Sequence, residues 1–243
     1  MNVKGVPVVF VHGIRVSGSM WRPVATIVSA DRTVSMPDLP GHGSADDEPF
    51  TLDGAVATIR HAIDTVGGRA LLVGHSLGGF IAMATLDRHP GQVAGFVGVG
   101  CSARPRGIGA ALFRRIAQNA VKNPARTERM SERGFRMMLP KDVADAALAG
   151  GLSVQVLPEA IDVVSQVDPI EALSGFAGPV HLINGAFDLF RADERKLVKV
   201  SYDARLTILP RRNHISCLAE TDTIATAVSE MAALLDARAL DAY

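Results

Sequence analysis

Short, nearly unbroken runs of valine, isoleucine and leucine recur along the chain, separated by longer stretches in which apolar residues return every three or four positions. An unbroken apolar run is what a parallel strand covered by helices on both faces requires, and the longer spacing belongs to helices with one buried side. The pattern predicts strands at Pro7–Val11, Thr33–Met36, Ala70–Gly74, Val93–Gly100, Val180–Asn184 and Arg205–Leu209. Helices are expected at Met20–Ser29, Thr51–Thr65, Leu77–Arg88 and Asp193–Ser201. A last one runs from Thr223 to Leu235, its Ile224, Val228, Met231 and Leu235 on one face. The expected class is α/β: a doubly covered, mostly parallel six-stranded sheet. Right-handed crossovers would bring the carboxyl ends of the strands to one edge, where such sheets carry their sites.

One stretch breaks the alternation. Between residues 101 and 167 only helical patterns occur, interrupted at Asn123-Pro124, Leu139-Pro140, Gly150-Gly151 and Leu157-Pro158. This predicts a helical cap over 101–167, inserted into a core formed by residues 1–100 and 168–243. Nine basic residues stand between Cys101 and Pro140 (Arg104, Arg106, Arg114, Arg115, Lys122, Arg126, Arg129, Arg133 and Arg136) against Glu128 and Glu132, a local net charge of +7. Ile108, Leu112 and Ile116 fall on one helical side, with Arg114, Arg115 and Lys122 turned elsewhere. No internal repeat or low-complexity tract is present.

At 243 residues the chain is one large domain, at roughly 100 to 200 residues per domain. Lysine and arginine balance aspartate and glutamate at 25 each, which gives no bias toward nucleic acid. No apolar run is long enough for a membrane span, and Val6–Val11 is too short for a secretory segment, so a cytoplasmic location is the expectation. Cys101 and Cys217 make no disulfide framework and lack metal-ligand spacing. Gly107-Ile108-Gly109 lacks the preceding strand of a dinucleotide fingerprint, so neither cofactor nor metal is expected.

Gly74-His75-Ser76-Leu77-Gly78 follows the apolar Ala70-Leu71-Leu72-Val73 and precedes the helical Phe80-Ile81-Ala82-Met83. That context suits a G-x-S-x-G elbow, in which a serine sits in a strained strand-to-helix turn that only small neighbours allow. Its hydroxyl would stand above the sheet edge, beside free amides and the positive end of a helix dipole.

Here the chain resembles the α/β-hydrolase family over nearly its whole length. Val8-Val9-Phe10-Val11-His12-Gly13 looks like the family's strand and oxyanion loop, and Asp38-Leu39-Pro40-Gly41-His42-Gly43-Ser44 like its D-x-P-G-x-G-x-S loop. Gly74–Gly79 resembles the nucleophile elbow, Asn184-Gly185-Ala186-Phe187-Asp188 the acid turn and Asn213-His214 the histidine turn. Three departures stand out: Asn213 occupies a position commonly held by glycine, Glu220 is followed by Thr221 rather than proline, and only six residues precede the first strand. The last departure points to the compact six-stranded branch that includes methyl esterases and hydroxynitrile lyases.

The order Ser76, Asp188, His214 is the one that the resemblance implies for the catalytic serine, acid and base. A serine hydroxyl needs an imidazole to take its proton, hence His214, and Asp188 would fix the tautomer and stabilise the imidazolium. The backbone amides of Leu77 and Ile14 would hold the oxyanion. Asp193, the rival acid, opens a helix and reads as a cap. His61 and His89 suit surface or helix-end roles and His181 the core, while His12, His42 and His75 suit loop-orienting ones. Met20, Trp21 and Cys217 read as packing.

The activity expected from the resemblance is hydrolysis of a carboxylic ester or thioester through an acyl-enzyme, with no cofactor. Arg114 and Arg115 on the basic cap are candidate contacts for an anionic acyl substrate or an acidic acyl carrier protein. Alternatives are lyase or C–C bond cleavage on the same residues, and a ligand-binding receptor. A serine at position 76 disfavours the epoxide hydrolases and dehalogenases, which resemble this layout with aspartate there.

Overall fold

The computed structural model describes residues 5–105 and 107–240; the side chains of residues 107–110 and 112 lie outside the description. Six strands form one sheet: β1 (Val8–Val11), β2 (Val34–Ser35), β3 (Ala70–His75), β4 (Val93–Val99), β5 (Pro179–Gly185) and β6 (Asp203–Leu209). Their order is β2-β1-β3-β4-β5-β6, and every neighbouring pair runs parallel. Strand alternation divides the apolar residues between two cores. Val9, Val11 and Leu72 join the one built with α2 (Leu52–Thr65), α3 (Leu77–Arg88), α8 (Pro169–Ser174) and α9 (Glu194–Val200). Val8, Phe10, Leu71 and Val73 join the other, with α1 (Arg22–Val28) and α10 (Thr221–Leu240).

Where the structure departs from the sequence pattern, local chemistry explains it. The helix expected from Met20 begins instead as a 3-10 turn, Gly18–Trp21, and α1 starts at Arg22 with Pro23 in its first turn, where a missing N–H costs nothing. The second strand keeps only Val34 and Ser35, because Pro37, two residues on, has no N–H with which to carry the ladder further. The last helix reaches Leu240, five residues past the Leu235 expected from its apolar face, over an alanine-rich, helix-favouring tail.

Between β4 and β5 the described residues form helices and no strand: α4 (Gly107–Ala120), α5 (Pro124–Met138), α6 (Lys141–Leu148), α7 (Leu157–Val164) and α8. The expected breaks are their boundaries. Asn123 caps α5 by accepting from the Arg126 amide at 3.1 Å, and Pro124 and Pro158 occupy first turns. These helices are fastened to the sheet layers rather than set apart from them. Val143, Ala144 and Ala147 of α6 enter one core, and Ala160 and Val163 of α7 enter the other. The Ile108 and Leu112 part of the apolar side expected for α4 lies outside the described residues, as does Arg106. No described helix is long and apolar enough to cross a membrane.

Candidate active site

β3 ends at His75, α3 starts at Leu77, and Ser76 makes the turn between them at φ 51° and ψ −117°. A side chain held there costs on the order of 1 to 3 kcal/mol and survives only where its surroundings over-determine it. They do: the Ser76 amide donates to the Val99 carbonyl at 2.9 Å, and its carbonyl accepts from Gly79 at 3.0 Å and Phe80 at 3.2 Å. A Cβ on Gly74 would lie 2.6 Å from the Gly78 carbonyl carbon, and one on Gly78 would run into the Val11 carbonyl. The close approach of helix to strand requires both glycines.

Three side chains from distant parts of the chain converge at this edge. Ser76 Oγ lies 2.9 Å from His214 Nε2, and His214 Nδ1 lies 3.0 Å from Asp188 Oδ2. With Nδ1–H donating to the carboxylate, Nε2 faces the hydroxyl as an acceptor. Burial pushes the Asp188 pKa up, but the His214 hydrogen bond and charge and the Phe190 amide outweigh it, and the carboxyl stays below its usual range. That amide donates to Asp188 Oδ1 at 2.7 Å. The acid turn is pinned from behind by Glu194, which accepts from Asn184 Nδ2 at 2.9 Å and from Arg191 Nε at 3.0 Å, while Arg191 Nη1 donates to the Ala186 carbonyl at 2.8 Å.

The remaining histidines take the places expected of them. His75 Nε2–H donates to the His214 carbonyl at 3.2 Å and the two rings lie 5.0 Å apart. Burial, with the His214 charge adding to it, lowers the His75 pKa to about 3, so the ring is neutral. His12 Nδ1–H donates to the Gly13 carbonyl at 2.8 Å, and its Nε2 accepts from Leu39 at 2.9 Å, tying two loops together; burial holds it near 3 as well. His42 donates to the Pro40 carbonyl at 2.9 Å, and His181 reaches Thr207 Oγ1 at 2.9 Å within the sheet. Asp193 differs from expectation. Its side chain does not cap α9 but accepts from the Arg104 amide at 2.9 Å and pairs with the Arg104 guanidinium at 3.4 Å, because that loop comes closer than the helix's own amides.

The Gly13 amide, nearest to the turn's start, is taken by Met20 Sδ at 3.3 Å. Among the described residues the amides of Ile14 and Leu77 donate to no protein acceptor, and both residues line the cavity that opens over Ser76. This cavity of about 710 Å³ has Ser76, His75 and His214 in its floor and Phe113, Ile116, Met130, Phe135, Met138, Leu157 and Ile161 of the intervening helices in its walls. Met20, read from sequence as packing, is therefore a cavity residue, whereas Trp21 is buried against Phe10, with ring centres 5.3 Å apart. Arg114 and Arg115 are not in the wall; Arg114 pairs with Asp162 at 2.5 Å on the outside. Arg15 is in the wall and was not expected. Its signal is a lone charge between Ile14 and Val16, inside the otherwise apolar stretch after β1.

A strained serine between strand and helix, backed by an imidazole and a buried carboxylate at the carboxyl edge of a parallel sheet, defines a class of protein on geometry alone. The Alpha/beta hydrolase family model matches residues 8–227, and the chain belongs to that family. Pimeloyl-[acyl-carrier protein] methyl ester esterase of Neisseria meningitidis serogroup C is 26% identical over 235 residues, covering 90% of each chain. Lipase LipV of Mycobacterium tuberculosis is 35% identical over 92 residues, but the match spans only 37% of this chain and 35% of the lipase. Among solved structures, a thermophilic esterase from Thermogutta terrifontis superposes with a TM-score of 0.78 at 19% identity, over 96% of this chain and 91% of that one, a likeness of fold.

Proposed function

We propose that the protein is a serine hydrolase that cleaves carboxylic esters through an acyl-enzyme on Ser76. The observation that carries this reading is the unbroken contact from Ser76 Oγ through His214 to Asp188, at 2.9 and 3.0 Å. His214 Nε2 takes the serine proton as Oγ attacks the ester carbonyl carbon, and Asp188 stabilises the imidazolium. The negative oxygen of the tetrahedral intermediate is received by the Leu77 and Ile14 amides, each worth about 3 to 4 kcal/mol in such a role. Collapse breaks the bond to the alkoxide, which leaves with the proton from Nε2. Water then repeats the sequence on the acyl-serine, releasing the acid and restoring the hydroxyl.

The names of the full-length relatives favour an oxygen ester over a thioester and bring in a carrier protein. In this reading the basic exterior around Arg114 and Arg115 serves to attract an acidic carrier, because neither residue reaches the cavity. Replacing Arg115 and its exposed basic neighbours with glutamate is expected to slow carrier-linked esters at low salt more than free small esters; equal slowing counts against the carrier.

Short-chain p-nitrophenyl esters and a fluorophosphonate probe test the core of the proposal. Turnover is expected to fall by about 10⁴-fold or more in Ser76→Ala and in His214→Ala, and mass spectrometry should place the phosphonate on Ser76. Turnover that survives both substitutions overturns the assignment. Stoichiometric labelling without turnover of any ester favours a receptor, and cyanohydrin cleavage without acyl-enzyme favours a lyase.

A further inference from the structure

Two arginines line the cavity. Arg104 pairs with Asp193, but Arg15 meets no carboxylate among the described residues. Arg15 directly follows Ile14, at φ 72°, and its carbonyl accepts from the Ser153 amide at 2.8 Å, so its backbone is fixed. Its Nη1 donates to Ser131 Oγ at 2.6 Å, and that hydroxyl in turn donates to the Thr127 carbonyl at 2.8 Å. One neutral hydroxyl, already committed elsewhere, is thus the guanidinium's only protein partner among the described residues. Its Nε is buried with no acceptor. Burial pulls the Arg15 pKa below the ordinary guanidinium value, with no neighbouring anion opposing it.

A cation in this position costs free energy until an anion joins it. The described residues of the cavity around it, with Phe113, Ile116, Met130 and Phe135 in the wall, supply none. The planar fork of donors on a guanidinium matches a carboxylate, and one positive charge balances one negative charge. A phosphate monoester, at about −1.5 to −2, would leave charge uncompensated against apolar walls. We infer that Arg15 receives a free carboxylate on the substrate, so that the esters preferred at Ser76 are half-esters of dicarboxylic acids, with an apolar chain between the two ends. Arg15 is then a specificity-determining residue at the far end of the substrate from the scissile bond. The inference rests on the reading of Ser76 as nucleophile and puts a free acid in place of the carrier-linked end, because a carboxyl joined to a carrier has no charge for Arg15 to receive.

The test compares monomethyl esters of the dicarboxylic acids from succinic to sebacic with neutral methyl esters of matched length. The wild type is expected to prefer half-esters at one optimum length. The ratio of kcat/KM for half-ester over neutral ester should fall about 10- to 100-fold in Arg15→Met, chiefly through KM, with Arg15→Lys between. A ratio that is the same in Arg15→Met and wild type overturns the inference, as does a wild type without preference, which decides the matter even if the variant fails to fold.

A second measurement needs no turnover: calorimetric binding of the free dicarboxylates to Ser76→Ala protein, with and without Arg15→Met. Dicarboxylate binding that depends on Arg15, alongside a wild type that hydrolyses no ester, would sink the hydrolase reading and leave the carboxylate site standing. Ester turnover with no such binding and no half-ester preference does the reverse. An alkyl phosphate bound as tightly as the best dicarboxylate overturns the choice of anion.

Discussion

Asp188 shows how much of a site is made by residues that never approach a substrate. Its carboxylate is fully buried, yet it is held ionised by His214 and the Phe190 amide. Asparagine would keep the shape but remove the charge that favours the Nδ1–H tautomer and the imidazolium. Asp188→Asn is therefore expected to lower kcat about 10⁴-fold with little change in melting temperature; a loss under tenfold would mean that another carboxylate does this work. Glu194 acts one step further back, since Asn184 and Arg191 lose their shared acceptor without it. Glu194→Ala is expected to cost about 2 kcal/mol in urea-unfolding stability, less than the roughly 3 to 5 kcal/mol of a fully buried pair because Arg191 is partly exposed. It should also lower kcat more than it raises KM.

At the scale of elements, strands were the most legible part of the sequence. β3 and β4 are buried at every position, so their apolar runs had no polar phase to confuse the reading. β6 is an edge strand of mixed burial, and its first two residues, Asp203 and Ala204, were missed because polar and small side chains carry no run. The elbow, the acid turn and the histidine turn were legible because each is a short local motif. The cavity walls were not: Phe113, Met130 and Phe135 meet only through tertiary packing, and nothing local distinguishes the half-exposed Phe113 from any surface aromatic. Met20 and Arg15 escaped for the same reason, since a thioether accepting from Gly13 and a guanidinium without a carboxylate are properties of the assembled loops. Two substitutions separate these roles. Leu173→Ala in α8, fully buried, is expected to cost about 3 kcal/mol of stability by urea titration and to leave KM unchanged. Phe113→Ala is expected to cost under 1 kcal/mol while raising KM for long acyl chains.

For the whole molecule, the buried histidines set the response to acid. His12 and His75 titrate near 3 in the folded protein and near 6.5 when unfolded. Between those values the unfolded chain binds protons that the folded one refuses, so stability rises with pH across the window and is lost as pH falls through it. In mid-window each such histidine contributes a slope of about 1.4 kcal/mol per pH unit. Urea titrations of wild type and His75→Gln between pH 6.5 and 4 should show a shallower dependence in the variant by about that amount; parallel curves would refute neutral burial of His75.

The floor and roof of the cavity have separate origins in the chain. The floor is assembled from four loops that follow β1, β3, β5 and β6: Asp188 and His75 brace the last three through His214, and His12 ties the first to the loop after β2. Most of the roof comes from one continuous stretch between β4 and β5. Because Val143, Ala144 and Ala147 of that stretch fill one core and Ala160 and Val163 the other, a roof transplanted from a relative would have to bring matching plugs for both. Arg15 is the exception: it grows from the floor but is clasped by a roof serine, and a transplanted roof without that hydroxyl would set its charge adrift.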